Sequence, residues 1–260
     1  MRLLGRTAAI TGAGKGIGPA IALKLAREGA DLALVARDRA ALDRLSPEIV
    51  ALGRRCSVFV ADLRRADEVD RAFSEIAAQF NGCLDILVNV AGVRGPVDKP
   101  LWEMSESEFD ELADVNLKGV FLTMRAALPH MIARKTGRII NIGGTHGHRG
   151  RALRSVYSAS KWGLRGLTRS VAREVGPFNI TANTISPGPI MGERFKRTIA
   201  ETAALQGVSE DIVMAERAAE MALRRFAEPS DIAEAVVFLA SDAARNITGQ
   251  DIAVDAGALA

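Results

Sequence analysis

The sequence predicts a single α/β domain over residues 1–260, with a parallel sheet and helices on both of its faces. Short apolar segments alternate with helical segments along the chain, which is the pattern of such a sheet. Of the 260 residues, 48% are hydrophobic but only 5% are aromatic. The core must therefore consist of Ala, Val, Leu and Ile, as buried parallel strands prefer.

Composition also argues against several classes of function. The net charge of +3 is mild and the arginines are scattered, so we expect no nucleic-acid binding. The N-terminal sequence predicts neither a signal peptide nor a membrane span. Cys56 and Cys83 belong to no metal or redox motif, and His146 and His148 have no third ligand nearby, so we expect no metal site. Reduced thiols indicate a cytoplasmic protein.

The first strand, Thr7–Thr11, leads into a glycine-rich turn and then a helix that ends near Gly29. Strand, glycine turn and helix are the setting in which glycines let a backbone approach a pyrophosphate at the helix N-terminus. We therefore predict a nucleotide site. Its contacts in this turn are Gly12, Lys15, Gly16, Ile17 and Gly18.

The second strand, Asp31–Ala36, ends where an adenosine ribose would lie. An acidic residue there would accept hydrogen bonds from both ribose hydroxyls and repel a 2′-phosphate. This chain has Ala36 and then Arg37, and Lys15 can reach the same region. Two cations favour NADP(H) over NAD(H), although the neighbouring Asp38 weighs against that preference.

Two further strands have candidate cofactor contacts at their ends. The third strand, Cys56–Ala61, is followed by Asp62 and Leu63, and Asp62 can either accept from an adenine amino group or cap the next helix. The fourth strand, Leu84–Val88, is followed by small residues that leave room for a ribose. The candidates there are Asn89, Ala91 and Gly92.

A helix predicted over Ser155–Arg173 contains the only tyrosine of the protein, Tyr157, four residues before Lys161. Positions i and i+4 share a helix face, so the phenol and the ammonium project side by side. A nearby cation stabilises a phenolate, and such a phenol can exchange a proton with a carbonyl or alcohol oxygen. Taken alone, the pair is more typical of an ordinary half-exposed helix face.

A polar amide stands in an apolar run of the long helix predicted from Ser105 to about Arg134. This residue, Asn116, must be hydrogen-bonded, either as a structural bridge or as part of a site.

The remaining segments complete the alternation of strands and helices. Residues 190–226 have no clear place in a sheet and are interpreted as a substrate lid containing a helical pair. The other predicted elements are strands at Arg138–Ile142, Asn179–Ile185 and Gly249–Val254 and a helix at Asp231–Ala240.

Together these motifs resemble the short-chain dehydrogenase/reductase family over essentially the whole chain. The matching stretches are Thr11-Gly12-x3-Gly16-x-Gly18, Asp62-Leu63, Asn89-x-Ala91-Gly92, Asn116, Tyr157-x3-Lys161 and Pro187-Gly188. The resemblance implies a Rossmann-type, doubly wound, seven-stranded sheet. It also implies a homotetramer or homodimer assembled through the helices that contain Asn116 and Tyr157.

The same resemblance implies roles for individual residues. Tyr157 would be the general acid/base, and Lys161 would bond the nicotinamide ribose. Asn116 would hold a water that links Lys161 to solvent. The nicotinamide would be seated by Pro187, Gly188 and Ile190. The substrate would be a carbonyl compound or a secondary alcohol.

One departure from the family pattern concerns a catalytic serine that hydrogen-bonds the substrate oxygen. Its position, thirteen residues before the tyrosine, is Gly144 in this chain. Three alternatives remain: Thr145 replaces the serine, which we favour; His146 or a water donates instead; or the protein binds NADP(H) and reduces little.

The leading expectation is an NADP(H)-dependent oxidoreductase of carbonyl or alcohol substrates. The pattern also resembles 3-oxoacyl-carrier-protein reductases, whose acidic carrier would suit a basic lid, but the missing serine counts against that activity. A second class is a non-catalytic NADP(H)-binding sensor or oligomer partner. Tyr157, Lys161 and Asn116 argue against it, because a pure binder has no evident need for all three.

Overall fold

Seven parallel strands form one sheet, as the sequence predicts. The computed structural model describes residues 1–97 and 99–260, and only the backbone of Arg194. The strands are β1 (Thr7–Thr11), β2 (Asp31–Ala36), β3 (Cys56–Val60), β4 (Ile86–Asn89), β5 (Gly137–Ile142), β6 (Ile180–Pro187) and β7 (Asp251–Val254). Their order is β3-β2-β1-β4-β5-β6-β7, so the predicted fold class is confirmed.

Helices cover both faces of the sheet. They are α1 (Gly18–Arg27), α2 (Arg39–Ala51), α3 (Ala66–Gln79), α4 (Glu106–Ala113), α5 (Gly119–Arg134), α6 (Ser155–Val175), α7 (Glu193–Gln206), α8 (Glu210–Ala219) and α9 (Pro229–Ala240). One core cluster joins α1, α2 and α9 to the sheet, and a second joins α3, α5 and α6 to the opposite face. The strands supply both clusters because their side chains alternate: Ala8 and Ile10 face the first, and Ala9 faces the second.

The strand order reverses between β1 and β4, which are neighbours in the sheet although two strands separate them in sequence. The chain leaves these two strands in opposite directions, which opens a crevice at the carboxyl ends of the strands. The glycine turn after Thr11 and the small residues after Asn89 both lie at this crevice. The fold thus brings together two motifs that are far apart in sequence.

The long helix predicted from Ser105 to Arg134 is interrupted. A π-helical turn, Asp114–Lys118, separates α4 from α5. Such a turn inserts an extra residue and changes the direction in which the side chains point, which no simple period in the sequence reveals. Here it turns Asn116 into the interior, where its exposed fraction is 0%.

Residues 190–226 contain the helical pair α7 and α8. The pair has a small core of its own, formed by Ile199, Ala203 and Val213. A single bridge between Ile190 and Ala227 connects the two ends of the segment. In the described part of the chain, no helix is both long and apolar enough to cross a membrane.

Candidate active site

The carboxyl ends of the strands and residues 190–226 enclose a cleft of about 980 Å³. Most of the residues predicted from the sequence line it: Gly12, Lys15, Gly16, Ile17, Arg37, Asp62, Leu63, Ala91, Gly92, Thr145, Tyr157, Lys161, Pro187, Gly188 and Ile190. The exceptions are Gly18, Asn89 and Asn116, which are buried beside it.

The glycine turn is built by close approaches that only glycine permits. A Cβ on Gly12, whose φ is +68°, would lie 2.7 Å from the Ala91 Cα. Gly18 is the first residue of α1, and a Cβ there would overlap the Gly12 carbonyl. Gly18 therefore packs the helix against the turn and is not itself a cleft residue. In contrast, Gly16 has a φ of +62° and open space around it, which leaves backbone accessible beside the start of α1.

Charged side chains form ion pairs at the end of the cleft next to the glycine turn. Lys15 lies 2.9 Å from Asp38, whose carboxylate also accepts the Ala41 N–H at the start of α2. Asp62 is held by Arg64 at 2.6 Å and lies 4.0 Å from Arg37. The hydrogen bonds from Arg64 are the main reason that the pKa of Asp62 is lowered, with burial opposing them. Sequence reasoning missed Arg64, although its spacing from Asp62 was visible.

Asn89 is oriented away from the cleft. Its amide donates to Asn141 at 2.9 Å, and its carbonyl accepts from Thr123 at 2.8 Å and from Thr11 at 3.3 Å. This buried network joins β1, β4, β5 and α5. The side chain of Asn89 therefore holds the sheet together, and a contact between Asn89 and the cofactor stays a prediction.

Asn116 clamps the loop after β4 to α6. Its carbonyl accepts the Val93 N–H at 2.8 Å, and its amide donates to the Val93 carbonyl at 2.9 Å and to Ser160 Oγ at 3.2 Å. Ser160 in turn donates to the Tyr157 carbonyl at 2.7 Å. A chain of hydrogen bonds therefore connects Asn116 to the backbone of Tyr157.

Tyr157 and Lys161 share one face of α6 at the inner end of the cleft. The Lys161 Nζ lies 5.8 Å from the centre of the phenol ring and donates to the Ile142 carbonyl at 3.0 Å. Lys161 is 5% exposed. Gly92 lies beside this pair: a Cβ there would meet Lys161 Nζ at an ordinary 3.8 Å but would crowd the Asn116 carbonyl oxygen at 3.2 Å.

The loop after β5 faces Tyr157. Gly144 has φ +154° and ψ 157°, a backbone conformation that is essentially restricted to glycine. A Cβ on Gly144 would lie 3.9 Å from the Tyr157 hydroxyl oxygen. Thr145 begins a 3₁₀ turn, lines the cleft, and is 8% exposed. In the described part of the chain, no residue is hydrogen-bonded to its hydroxyl, so that hydroxyl is free to meet a ligand.

The two histidines of this loop differ in their surroundings. His146 lines the cleft, and its ring meets Tyr157 edge-on at 5.2 Å. Burial and, after it, the charges of four arginines lower the pKa of His146 from 6.5 to about 4; they are Arg151, Arg154, Arg94 and Arg149. His148 instead lies 3.0 Å from Asp251, to which Arg165 is also bound, and this contact ties the loop to β7.

Arg154 is a site residue that sequence reasoning missed. Its guanidinium lies 4.8 Å from the centre of the Tyr157 ring and donates to the carbonyls of Pro96 and Arg94 at 2.8 and 3.1 Å. Its place three residues before Tyr157, at the start of α6, was the only available signal. That spacing by itself does not indicate a functional role for Arg154.

Comparison with known proteins places this geometry in a family. A sequence model described as enoyl-(acyl carrier protein) reductase matches residues 12–258. The 3-oxoacyl-[acyl-carrier-protein] reductase of Staphylococcus aureus is 39% identical over 253 residues, 97% of each chain. The chain belongs to the short-chain dehydrogenase/reductase family.

Solved structures agree with this assignment. NAD⁺-bound xylitol dehydrogenase is similar with a TM-score of 0.92 and 28% identity, over 99% of this chain and 100% of that one. An actinorhodin polyketide ketoreductase with NADPH is similar with a TM-score of 0.90 and 29% identity, over 97% of both chains. As a short-chain dehydrogenase/reductase, the protein is an oxidoreductase that acts on CH–OH or C=O groups. Because the two structures hold different nicotinamide cofactors, the shared fold does not select between them.

Proposed function

We propose that this protein transfers hydride between NADP(H) and a carbonyl or secondary alcohol substrate, with Tyr157 as the general acid/base. The observation that carries the proposal is the position of Tyr157 and Lys161 in the same cleft as the glycine turn. A bound nicotinamide supplies the hydride chemistry. In reduction, the Tyr157 hydroxyl gives its proton to the oxygen of the carbonyl whose carbon receives the hydride.

The residues around Tyr157 support this role. Lys161 is buried beside the phenol, so its ammonium stabilises negative charge that develops there. Lys161 is also our candidate for the bond to the nicotinamide ribose. Pro187, Gly188 and Ile190, which line the cleft, are our candidates for the seat of the nicotinamide.

We propose that Asn116 is a positioning residue. Both N–H bonds of its amide and one lone pair of its carbonyl are used by Val93 and Ser160. The side chain has little capacity left to hold a water, so its contribution is to fix α6, and with it Tyr157 and Lys161. This differs from the role that the family resemblance implied.

The preference for NADP(H) rests on the cations at the end of β2. The open backbone at Gly16 fits a pyrophosphate, and Arg37 and Lys15 line the adjoining part of the cleft. Asp38 opposes a 2′-phosphate, but Lys15 already neutralises it at 2.9 Å. The hydrogen bond from Lys15 is the main reason that the pKa of Asp38 is lowered. Arg37 makes only a long contact of 4.0 Å with Asp62, which Arg64 already binds at 2.6 Å, so its guanidinium is our candidate partner for a 2′-phosphate.

We propose that Thr145 donates to the substrate oxygen in place of the missing serine. Its hydroxyl lines the cleft on the loop that faces Tyr157. His146, which also lines the cleft there, is the alternative donor.

We further propose a cytoplasmic homotetramer or homodimer. Cys56 and Cys83 are free thiols, as a reducing compartment allows. Large apolar side chains are exposed on α4, α5 and α6, where a second copy would cover them: Phe109, Phe121 and Trp162.

Two alternatives remain in view. Sequence identity of 39% to a 3-oxoacyl-[acyl-carrier-protein] reductase favours a 3-oxoacyl thioester on a carrier protein as substrate. A non-catalytic NADP(H)-binding sensor or oligomer partner would bind the cofactor in the cleft but would not catalyse hydride transfer.

The test is NADPH oxidation with a panel of ketones, quinones, sugars and 3-oxoacyl thioesters, free and carrier-bound. Turnover that Tyr157→Phe abolishes, with NADPH binding retained, would support the proposed mechanism. NADPH binding without turnover of any panel member would instead favour the sensor. Turnover that Tyr157→Phe leaves unchanged would refute the role of Tyr157.

A further inference from the structure

Four arginines surround the catalytic end of the cleft. Arg94 follows β4, whereas Arg149, Arg151 and Arg154 lie between the loop after β5 and the start of α6. All four line the cleft, together with His146 and Tyr157. We call these four residues the arginine cluster.

Three members of the cluster have no acidic partner among residues 1–97 and 99–260. Arg94, Arg149 and Arg151 form no ion pair there, unlike most of the arginines on the rest of the surface. Acidic residues line the cleft elsewhere: Asp38 and Asp62 are paired at the glycine-turn end, and Glu220, which is paired with Arg217, and Glu193, at the start of α7, belong to the 190–226 segment. Positive charge therefore accumulates on one side of Tyr157.

Arg154 fixes the position of this charge. Its guanidinium is held against the backbone of Pro96 and Arg94 and lies over the phenol ring. The field of the cluster is felt inside the cleft, because all four arginines contribute to the lowered pKa of His146. A neutral His146 does not add to the positive charge, but it also offers no negative charge to offset it.

We propose that the substrate carries a carboxylate or a phosphate within a few bonds of the reacting carbonyl, and that Arg94, Arg149 and Arg151 bind this group. The inference rests on the proposed function, since Tyr157 defines where the carbonyl lies. Guanidinium groups bind both anions through paired N–H donors. A neutral ketone or a thioester, which has no charge next to its carbonyl, would offer Arg94, Arg149 and Arg151 no anion to bind.

The variant that tests the proposal is Arg149→Ala/Arg151→Ala, since both side chains are exposed on a loop and their removal disturbs no described contact of a side chain. The matched control is Arg27→Ala/Arg71→Ala, which removes the same charge from exposed positions of α1 and α3 outside the cleft. Arg149→Lys/Arg151→Lys tests whether positive charge without the guanidinium groups is enough to bind the anionic group of the substrate.

The substrates are acetoacetate and its methyl ester, which differ in one negative charge and have the same reacting ketone. NADPH gives hydride to the ketone carbon and Tyr157 gives a proton to its oxygen, so each yields a 3-hydroxy product and NADP⁺. We expect the alanine pair to raise KM for acetoacetate by about tenfold or more and to leave KM for the ester unchanged. Added salt should raise KM for acetoacetate in the natural protein. The control pair should change neither KM.

Binding without turnover is measured in parallel by calorimetric titration of the NADPH-bound protein with malonate and with inorganic phosphate. Binding that the alanine pair abolishes and the control pair retains would support the proposal even if no ketone is reduced, in which case only the proposed function fails. The tighter of the two anions identifies the group. Equal KM values for acid and ester in the natural protein, or no anion binding that depends on Arg149 and Arg151, would overturn the inference and leave the proposed reductase intact.

Discussion

A Cβ on Gly144 would lie 3.9 Å from the Tyr157 hydroxyl oxygen. A side chain at this position would therefore reach the atom that exchanges the proton, which is where the family resemblance expects a serine. The backbone of Gly144, with φ +154°, strongly disfavours any such side chain. The conformation of the loop therefore depends on the absence of a side chain at position 144. A serine introduced there would strain the backbone as well as add a hydroxyl.

We expect Gly144→Ser and Gly144→Ala to destabilise the protein by similar amounts, about 1–3 kcal/mol each, because both force a side chain onto this backbone. Thermal or denaturant unfolding measures the loss. Neither variant should raise turnover, since in our proposal Thr145 already supplies the donor. A Gly144→Ser enzyme that is several times faster than the natural one, beside a slow Gly144→Ala enzyme, would show that the site lacks a donor.

Thr145→Val should lower kcat by about a hundredfold, since it removes a hydrogen-bond donor to the developing oxyanion while keeping the shape of the side chain. Thr145→Ser keeps the hydroxyl and should retain most of the activity. Steady-state kinetics with the best substrate of the panel gives both values. Unchanged turnover in Thr145→Val would exclude Thr145 and direct attention to His146.

Asn116→Ala should lower the free energy of unfolding by about 2 kcal/mol, because it leaves the half-buried Val93 N–H and carbonyl without their partner. Turnover should fall with it as α6 loses its tether to the loop. The control, Asn246→Ala, removes an exposed asparagine and should change stability by less than about 0.5 kcal/mol. A stable Asn116→Ala protein with lost turnover would point to a direct catalytic role instead of positioning.

Arg37→Ala should raise KM for NADPH by about tenfold and leave KM for NADH nearly unchanged, because only the 2′-phosphate loses a charge-assisted contact. Arg39→Ala is the matched control, since Arg39 is exposed, pairs with Asp43 and does not line the cleft. Equal use of both cofactors by the natural protein, unaltered by Arg37→Ala, would contradict the assignment of NADP(H).

His146 makes stability depend on pH in a predictable direction. Its pKa is about 4 in the folded protein, below the ordinary 6.5, so the unfolded chain binds the proton more tightly. Above pH 6.5 His146 is neutral in both the folded and the unfolded chain and does not lower the free energy of unfolding. As the pH falls from 6.5 towards 4, the unfolded chain takes up the proton first and the free energy of unfolding decreases. His146→Gln should make the free energy of unfolding less dependent on pH between 6.5 and 4. An unchanged slope in the variant would assign the pH dependence to other groups.

Local patterns in the sequence were enough to predict the sheet, the glycine turn and the tyrosine–lysine pair. Each depends on residues that are near one another in the chain: apolar runs that are largely buried in β1, β2, β4, β5 and β6, glycines between a strand and a helix, and two side chains four positions apart on α6. Local periodicity sets such features before any distant contact forms. This is why the predicted fold is confirmed and why most of the predicted site residues lie in one cleft.

Tertiary packing decided the rest. Asn116 was a candidate because it interrupts an apolar run, and Asn89 because it follows the fourth strand at its carboxyl end. Which partner each side chain meets depends on strands and helices from other parts of the chain. The arginine cluster brings Arg94 beside residues more than fifty positions later, and the backbone angle at Gly144 is imposed by its loop. Three members of the cluster lie within residues 149–154, so most of this charge is local in sequence, and the fold adds Arg94 and places all four arginines beside Tyr157.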